Sequence, residues 1–254
     1  MTTLAAHESI CEAAVQPASA PAAPRFDMYG PIHKALRSFM CDTLLRAGRL
    51  DVNDAAEFDA TLNQVDALLA FCLDHIEREN AFVHAAIEAR RPVGAQRTTD
   101  DHVEHVETIA ALHDEVASLR GAQAQALAQA TPMLAHRLYH HLALFVAENF
   151  QHMHIEETAN NAALWALYSD AELHEIHARL LAGIPPEKDL VVARWMIPAL
   201  CPIERAIIVG HAKRQMPPEA FIGVLAHVKP HMDESGWTKL ASAVGVSPSL
   251  GRAA

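Results

Sequence analysis

Between Phe150 and Thr158 the chain reads FQHMHIEET, with His152, His154, Glu156 and Glu157 inside six positions, directly after the apolar run HLALFVAEN. Imidazoles and carboxylates at that density either solvate a turn of helix or face inward and ligate a cation. Spacing separates the two readings. His152 and Glu156 are four apart, so a helix carries them one turn apart on one face. HIERE repeats the pattern with His75 and Glu79. HVEH sets His102 and His105 three apart, again on one face, and PIHKALR contributes His33. Five imidazoles and two carboxylates are donors for first-row metals. Each carboxylate has two oxygens and can span two ions, and a mixed set of this kind suits two iron ions ahead of manganese or zinc. One HxxxE pair alone carries little weight: with 17 histidines in 254 residues, roughly one arises by chance. His84 and Glu88 are read as that chance pair.

Such a set needs helices to hold it. Alanine and leucine dominate, hydrophobic residues make up 51%, and only 10 residues are glycine, which points to an all-α fold. The first predicted helix enters at Pro31 and leaves at Gly48, with Leu36, Met40 and Leu44 on the stripe of His33. The second runs from about Asn53 to Arg90, capped by Asn53 or Asp54, and its face reads Leu68, Cys72, His75, Glu79, Phe82, Val83. The third starts near TTDDHVEHVE, with Thr98 to Asp101 as cap candidates, and continues through Ile109, Leu112, Val116 and Leu119 to GAQAQ. The fourth spans about Pro132 to Tyr168 with Leu138, Leu142, Phe145, Asn149, His152 and Glu156 in line. Short connections between four such helices favour an up-down-up-down four-helix bundle. Each candidate ligand thereby falls on an apolar stripe, where unpartnered polar groups would be costly.

Outside these helices the signals thin out. Residues 1–24, ending in QPASAPAAP, read as a disordered arm that includes His7 and Cys11. Residues 171–254 read as shorter helices, broken at GIPPEKD, ALCPIE, MPPEA and HMDES, which cover one end of the bundle or form an appended unit. His154 and Glu157 fall off the ligand face and are read as surface or outer-shell residues. His113, His136, His140, His141 and the C-terminal histidines lack a carboxylate at ligand spacing on an apolar stripe. Trp165, Trp195 and Trp237 are read as packing residues. A net charge of −11 disfavours nucleic acid and anionic membranes as partners. No apolar run is long enough to span a membrane, no signal peptide is evident, and the four scattered cysteines suit a reducing compartment, so the expected location is the cytoplasm.

The segments PIHKALR, HIERENAFVHAAIE, DDHVEHVE and FVAENFQHMHIEETANNAALW resemble a hemerythrin-like, or HHE cation-binding, domain over roughly residues 28 to 170. The resemblance implies a four-helix bundle around a non-haem di-iron centre with an oxo or hydroxo bridge. It implies histidine ligation by His33, His75, His102, His105 and His152, with Glu79 and Glu156 as bridging carboxylates. Two features depart from the oxygen carriers of that family. Their helix-three histidines stand four apart rather than three, which leaves open whether His102, His105 or both bind metal, with His105 weighted above His102. Their last carboxylate comes five residues after its histidine, which here is Glu157.

By this resemblance the site binds O2 or a related small oxidant, nitric oxide or peroxide, for sensing, storage or iron and redox homeostasis, with a protein redox partner left open. A di-iron oxidase or peroxidase, or an iron-centre repair protein, is the alternative. Ferritin-like oxidases use ExxH pairs, and this chain has none. A third reading is a metal-free helical interaction protein. Histidine ligation requires neutral imidazoles, so loading should weaken below about pH 6.5.

Overall fold

The computed structural model describes residues 25–127 and 129–249; the expected N-terminal arm, with His7 and Cys11, lies outside them. Helix is the only regular secondary structure among the described residues, with no strand among them, and no helix among them is long and apolar enough to cross a membrane. Helix α1 spans Gly30–Gly48, α2 Ala55–Arg78, α3 Ala85–Arg90, α4 Gln96–Ala124, α5 Ala130–Ile155 and α6 Asn161–Leu167. Then follow α7 Asp170–Leu181, α8 Pro186–Ala199, α9 Pro202–Gln215, α10 Pro218–Val228 and α11 Glu234–Val244.

The predicted apolar stripes are the buried faces. Leu36 and Met40 of α1, Leu68 and Cys72 of α2, Leu112 and Leu119 of α4, and Leu138 and Phe145 of α5 share one core. Helix α1 packs on α2 and α5, α2 on α4, and α4 on α5. The histidines sit on the same stripes, nearer one end. At that end a second apolar cluster joins Met28 and Tyr29 to Val83, Ile87, Leu164, Leu173 and Ile176, so α7 closes over it.

The long second and fourth helices of the sequence reading each contain a widened segment. A π-helical stretch, Glu79–His84, links α2 to α3, and another, Glu156–Asn160, links α5 to α6. Asp54, not Asn53, caps α2 by accepting from the amides of Ala56 and Glu57. Helix α4 begins two residues before Thr98 and has no side-chain cap at Ala95. Its incoming loop is held instead by Glu88, whose carboxylate accepts from Val93 N at 2.6 Å and Ala95 N at 2.7 Å. Glu88 is therefore a loop staple rather than half of a ligand pair. Glu88→Ala should cost about 1 kcal/mol, comparable to a lost helix cap. For a chain of this length that lowers the melting temperature by about 2–4 °C, readable by thermal denaturation.

The C-terminal helices flank the core. Helix α8 packs along α1, with Trp195 stacked on Phe39 at 4.1 Å and 12°. A separate core of Ile197, Val209, Phe221, Leu225, Trp237 and Leu240 joins α8 through α11. Buried Arg205 donates to the carbonyls of Ile197, Pro198 and Leu200, satisfying the open end of α8.

Candidate metal centre

Two groups of ligand atoms converge between the long helices. His33, His75, Glu79 and Glu156 form one; Glu79, His102, His152 and Glu156 form the other, with the atoms of each within 4.8 Å of one another. Both glutamates belong to both groups, so the two clusters share their carboxylates. Helix α1 contributes His33, α2 and its π segment His75 and Glu79, α4 His102, and α5 with its π segment His152 and Glu156. All are buried except His75, which is nearly so.

Two donors each about 2.1 Å from a common ion stand about 3.0–3.7 Å apart when they subtend about 90–125°. The N···O separations here match that range. His75 Nε2 lies 3.1 Å from Glu79 Oε2, and His152 Nε2 lies 3.1 Å from Glu156 Oε2. His33 Nε2 is 3.5 Å from Glu79 and 3.4 Å from Glu156; His102 Nε2 is 3.5 Å from Glu79 and 3.7 Å from Glu156. Yet the Nε2 atoms of these four histidines, both Glu79 oxygens and Glu156 Oε2 have no hydrogen-bond partner. Buried polar atoms are ordinarily satisfied. A concentration of unpartnered donors around two shared points fits cations in those positions.

The opposite ring nitrogens are held from outside. His33 Nδ1 lies 3.1 Å from Glu157 Oε1, His102 Nδ1 2.9 Å from Asn80 Oδ1, and His152 Nδ1 3.2 Å from Asp101 Oδ2. These oxygens accept, so Nδ1 carries a proton and Nε2 is the nitrogen turned inward, the arrangement that orients imidazoles for a metal once Nε2 gives up any proton it holds. Arg37 in turn pairs with Glu157.

The electrostatics follow from burial and mutual charge. Burial works against protonation of His33, but Glu156, Glu157 and Glu79 outweigh it and raise its pKa well above the ordinary range. His152 is raised likewise: burial opposes the proton, and Glu156 and Asp101 prevail. His75 is pushed down to about 4, first by burial. Burial and the Glu156 charge work to raise Glu79, but the surrounding histidines hold it at about 2. Glu156 lies well below the carboxylate range because His152, His33 and His84 overcome its burial. The two carboxylates are thus anionic, and the raised His33 and His152 stand against them as cationic partners.

The other sequence candidates are placed as follows. His105 is buried beside His152, ring centroids 5.0 Å apart, with Nδ1 unpartnered, and burial pushes it to about 4. It stands next to the groups while His102 stands in one. Glu157 is an outer partner of His33, and His154 is exposed. His113 pairs with Asp66 on the surface. His84 is not a bystander: it is 3% exposed, and its Nε2 lies 3.2 Å from Glu156 Oε1. Asn80 and Asp101 went unnoticed in the sequence because neither matches a ligand spacing; each serves a histidine on a different helix. Compared with models of known protein families, with curated proteins and with solved structures, the chain matches none.

Proposed function

We propose that the chain is a hemerythrin-like di-iron protein that binds O2 or a related small oxidant. Its four long helices are read as an up-down-up-down bundle over residues 28–170, with residues 171–254 as a helical extension. The observation that carries this reading is the pair of ligand groups with shared carboxylates and unpartnered inward atoms. In it His33 and His75 hold one ion, His102 and His152 hold the other, and Glu79 and Glu156 serve both, with His105 beside the second ion. Two bound irons would supply redox-active cations with a coordination position for O2, nitric oxide or peroxide. The residues around them orient the imidazoles through Asn80, Asp101 and Glu157, and exclude water with Tyr29, which is fully buried.

A histidine-rich, carboxylate-poor set supports binding or sensing over a strongly oxidising enzyme, and the absence of any ExxH pair in the sequence supports the same choice. Repeated reduction with dithionite and re-exposure to air tests it. Spectra that return unchanged through several anaerobic and aerobic cycles support reversible binding; turnover of an added reductant with steady O2 consumption would favour the oxidase reading.

The pH dependence has a definite sign. His33 and His152 hold raised pKa values through the carboxylates, so entering cations must displace their protons. Loading should release protons and weaken as pH falls below about 6.5. Ferrous titrations between about pH 8 and pH 5 check this, and a flat profile would remove histidine ligation from the account.

A further inference from the structure

We infer that His84 is a positioning residue for one of the two ion positions, an inference that rests on the di-metal reading above. An α-helix returns to the same face after three or four residues. A π turn is wider by one residue, so the fifth residue returns instead. The segment Glu79–His84 is π-helical, and it brings His84 round to the side of Glu79 and the centre.

Proton bookkeeping then assigns the role. A carboxylate oxygen accepts, so His84 Nε2, 3.2 Å from Glu156 Oε1, donates. Nδ1, 3.1 Å from Thr99 Oγ1, accepts from that hydroxyl. Thr98 Oγ1 also lies 3.2 Å from Nε2; its own hydrogen goes to Ala95 O and it accepts from Asn160 Nδ2, so toward Nε2 it accepts, beside Glu156. A nitrogen carrying a proton is not a ligand. His84 therefore holds Glu156 by Oε1 and leaves Oε2 as its one unpartnered oxygen, whereas both Glu79 oxygens are unpartnered. The two carboxylates are unequal: Glu156 is tethered through Oε1 by His84, and Glu79 meets only histidines of the two ligand groups.

His84 also leans toward one side. Its ring stacks on His102 at 4.8 Å and 11°, a member of one group only, whereas Glu156 belongs to both. Losing it should weaken the His102 position more than the other.

The test is a stepwise cobalt(II) titration of the full chain, followed by visible absorption and by calorimetry, on wild type, His84→Leu, His84→Gln and Thr99→Val. Wild type should take two ions. His84→Leu should weaken one step by about 10–100-fold, the cost of a lost outer partner, with a smaller effect on the other step, and alter the spectrum of the first ion most. His84→Gln, which keeps a side-chain N–H, should restore both. Thr99→Val, a milder change should the leucine variant fold poorly, should weaken the same step less. Wild-type behaviour in His84→Leu, equal weakening of both steps, or a glutamine variant no better than leucine would overturn the role of His84 while leaving the di-metal reading intact. A wild-type chain that takes up fewer than two ions would remove both.

Discussion

Glu156→Ala should abolish loading at both ion positions, the largest effect of any single substitution in this chain. Glu156 is fully buried and belongs to both ligand groups. Its Oε2 faces His33 and His152 together. Removing an outer partner from a metal site costs about 10–100-fold in affinity; removing a shared ligand should exceed that at each position. The metal-free variant should keep its helices, because Glu156 and Glu79 repel one another and losing one relieves the other. Iron retained after anaerobic ferrous loading and gel filtration reads the effect, with far-ultraviolet circular dichroism as the folding control. His154→Ala, two residues away but exposed, should load like wild type. Two retained irons in the Glu156 variant would show that the carboxylate is not shared.

Metal loading should also raise the melting temperature markedly. Without cations the centre holds two anionic carboxylates and several ring nitrogens with no partner, an arrangement that costs folding free energy. A cation that binds only the folded chain stabilises it by about 2.7 kcal/mol when free metal is a hundredfold above the dissociation constant. For a chain of this length, one filled position then corresponds to about 5–11 °C, and a second position adds a comparable amount. Scanning calorimetry with ferrous iron, and again after chelation, measures the shift and its reversal. A melting temperature indifferent to metal would leave the unpartnered atoms without their proposed occupant.

Much of this arrangement was legible because helices repeat every 3.6 residues. The stripes through Leu68 and Cys72, through Leu112 and Val116, and through Leu138 and Phe145 are the faces that meet in the core. His33, His75, His102 and His152 were found by following those stripes to one end. Two kinds of residue escaped that reasoning for different reasons. His84 sits five residues past Glu79, off the face in an α-helix and on it only in the π turn, and no residue in ENAFVH announces that change of pitch. Asn80 and Asp101 support histidines 22 and 51 positions away, a pairing set by how helices pack rather than by local spacing. The start of α4 was placed too late for a related reason: its cap candidates Thr98 to Asp101 lie inside the helix, and the loop is held from Glu88. The C-terminal third offered no ligand motif. Its packing of α7 over the end near the centre and α8 along α1 depends on Leu173, Ile176 and Trp195, which look like ordinary apolar residues in sequence.

The most direct measurement is the metal content and optical spectrum of the aerobically purified protein beside its His75→Ala and Glu156→Ala variants. Two irons per chain with near-ultraviolet charge-transfer bands, and loss of both in each variant, are the expected result. A colourless chain that takes up no iron, unchanged by either substitution, would contradict it.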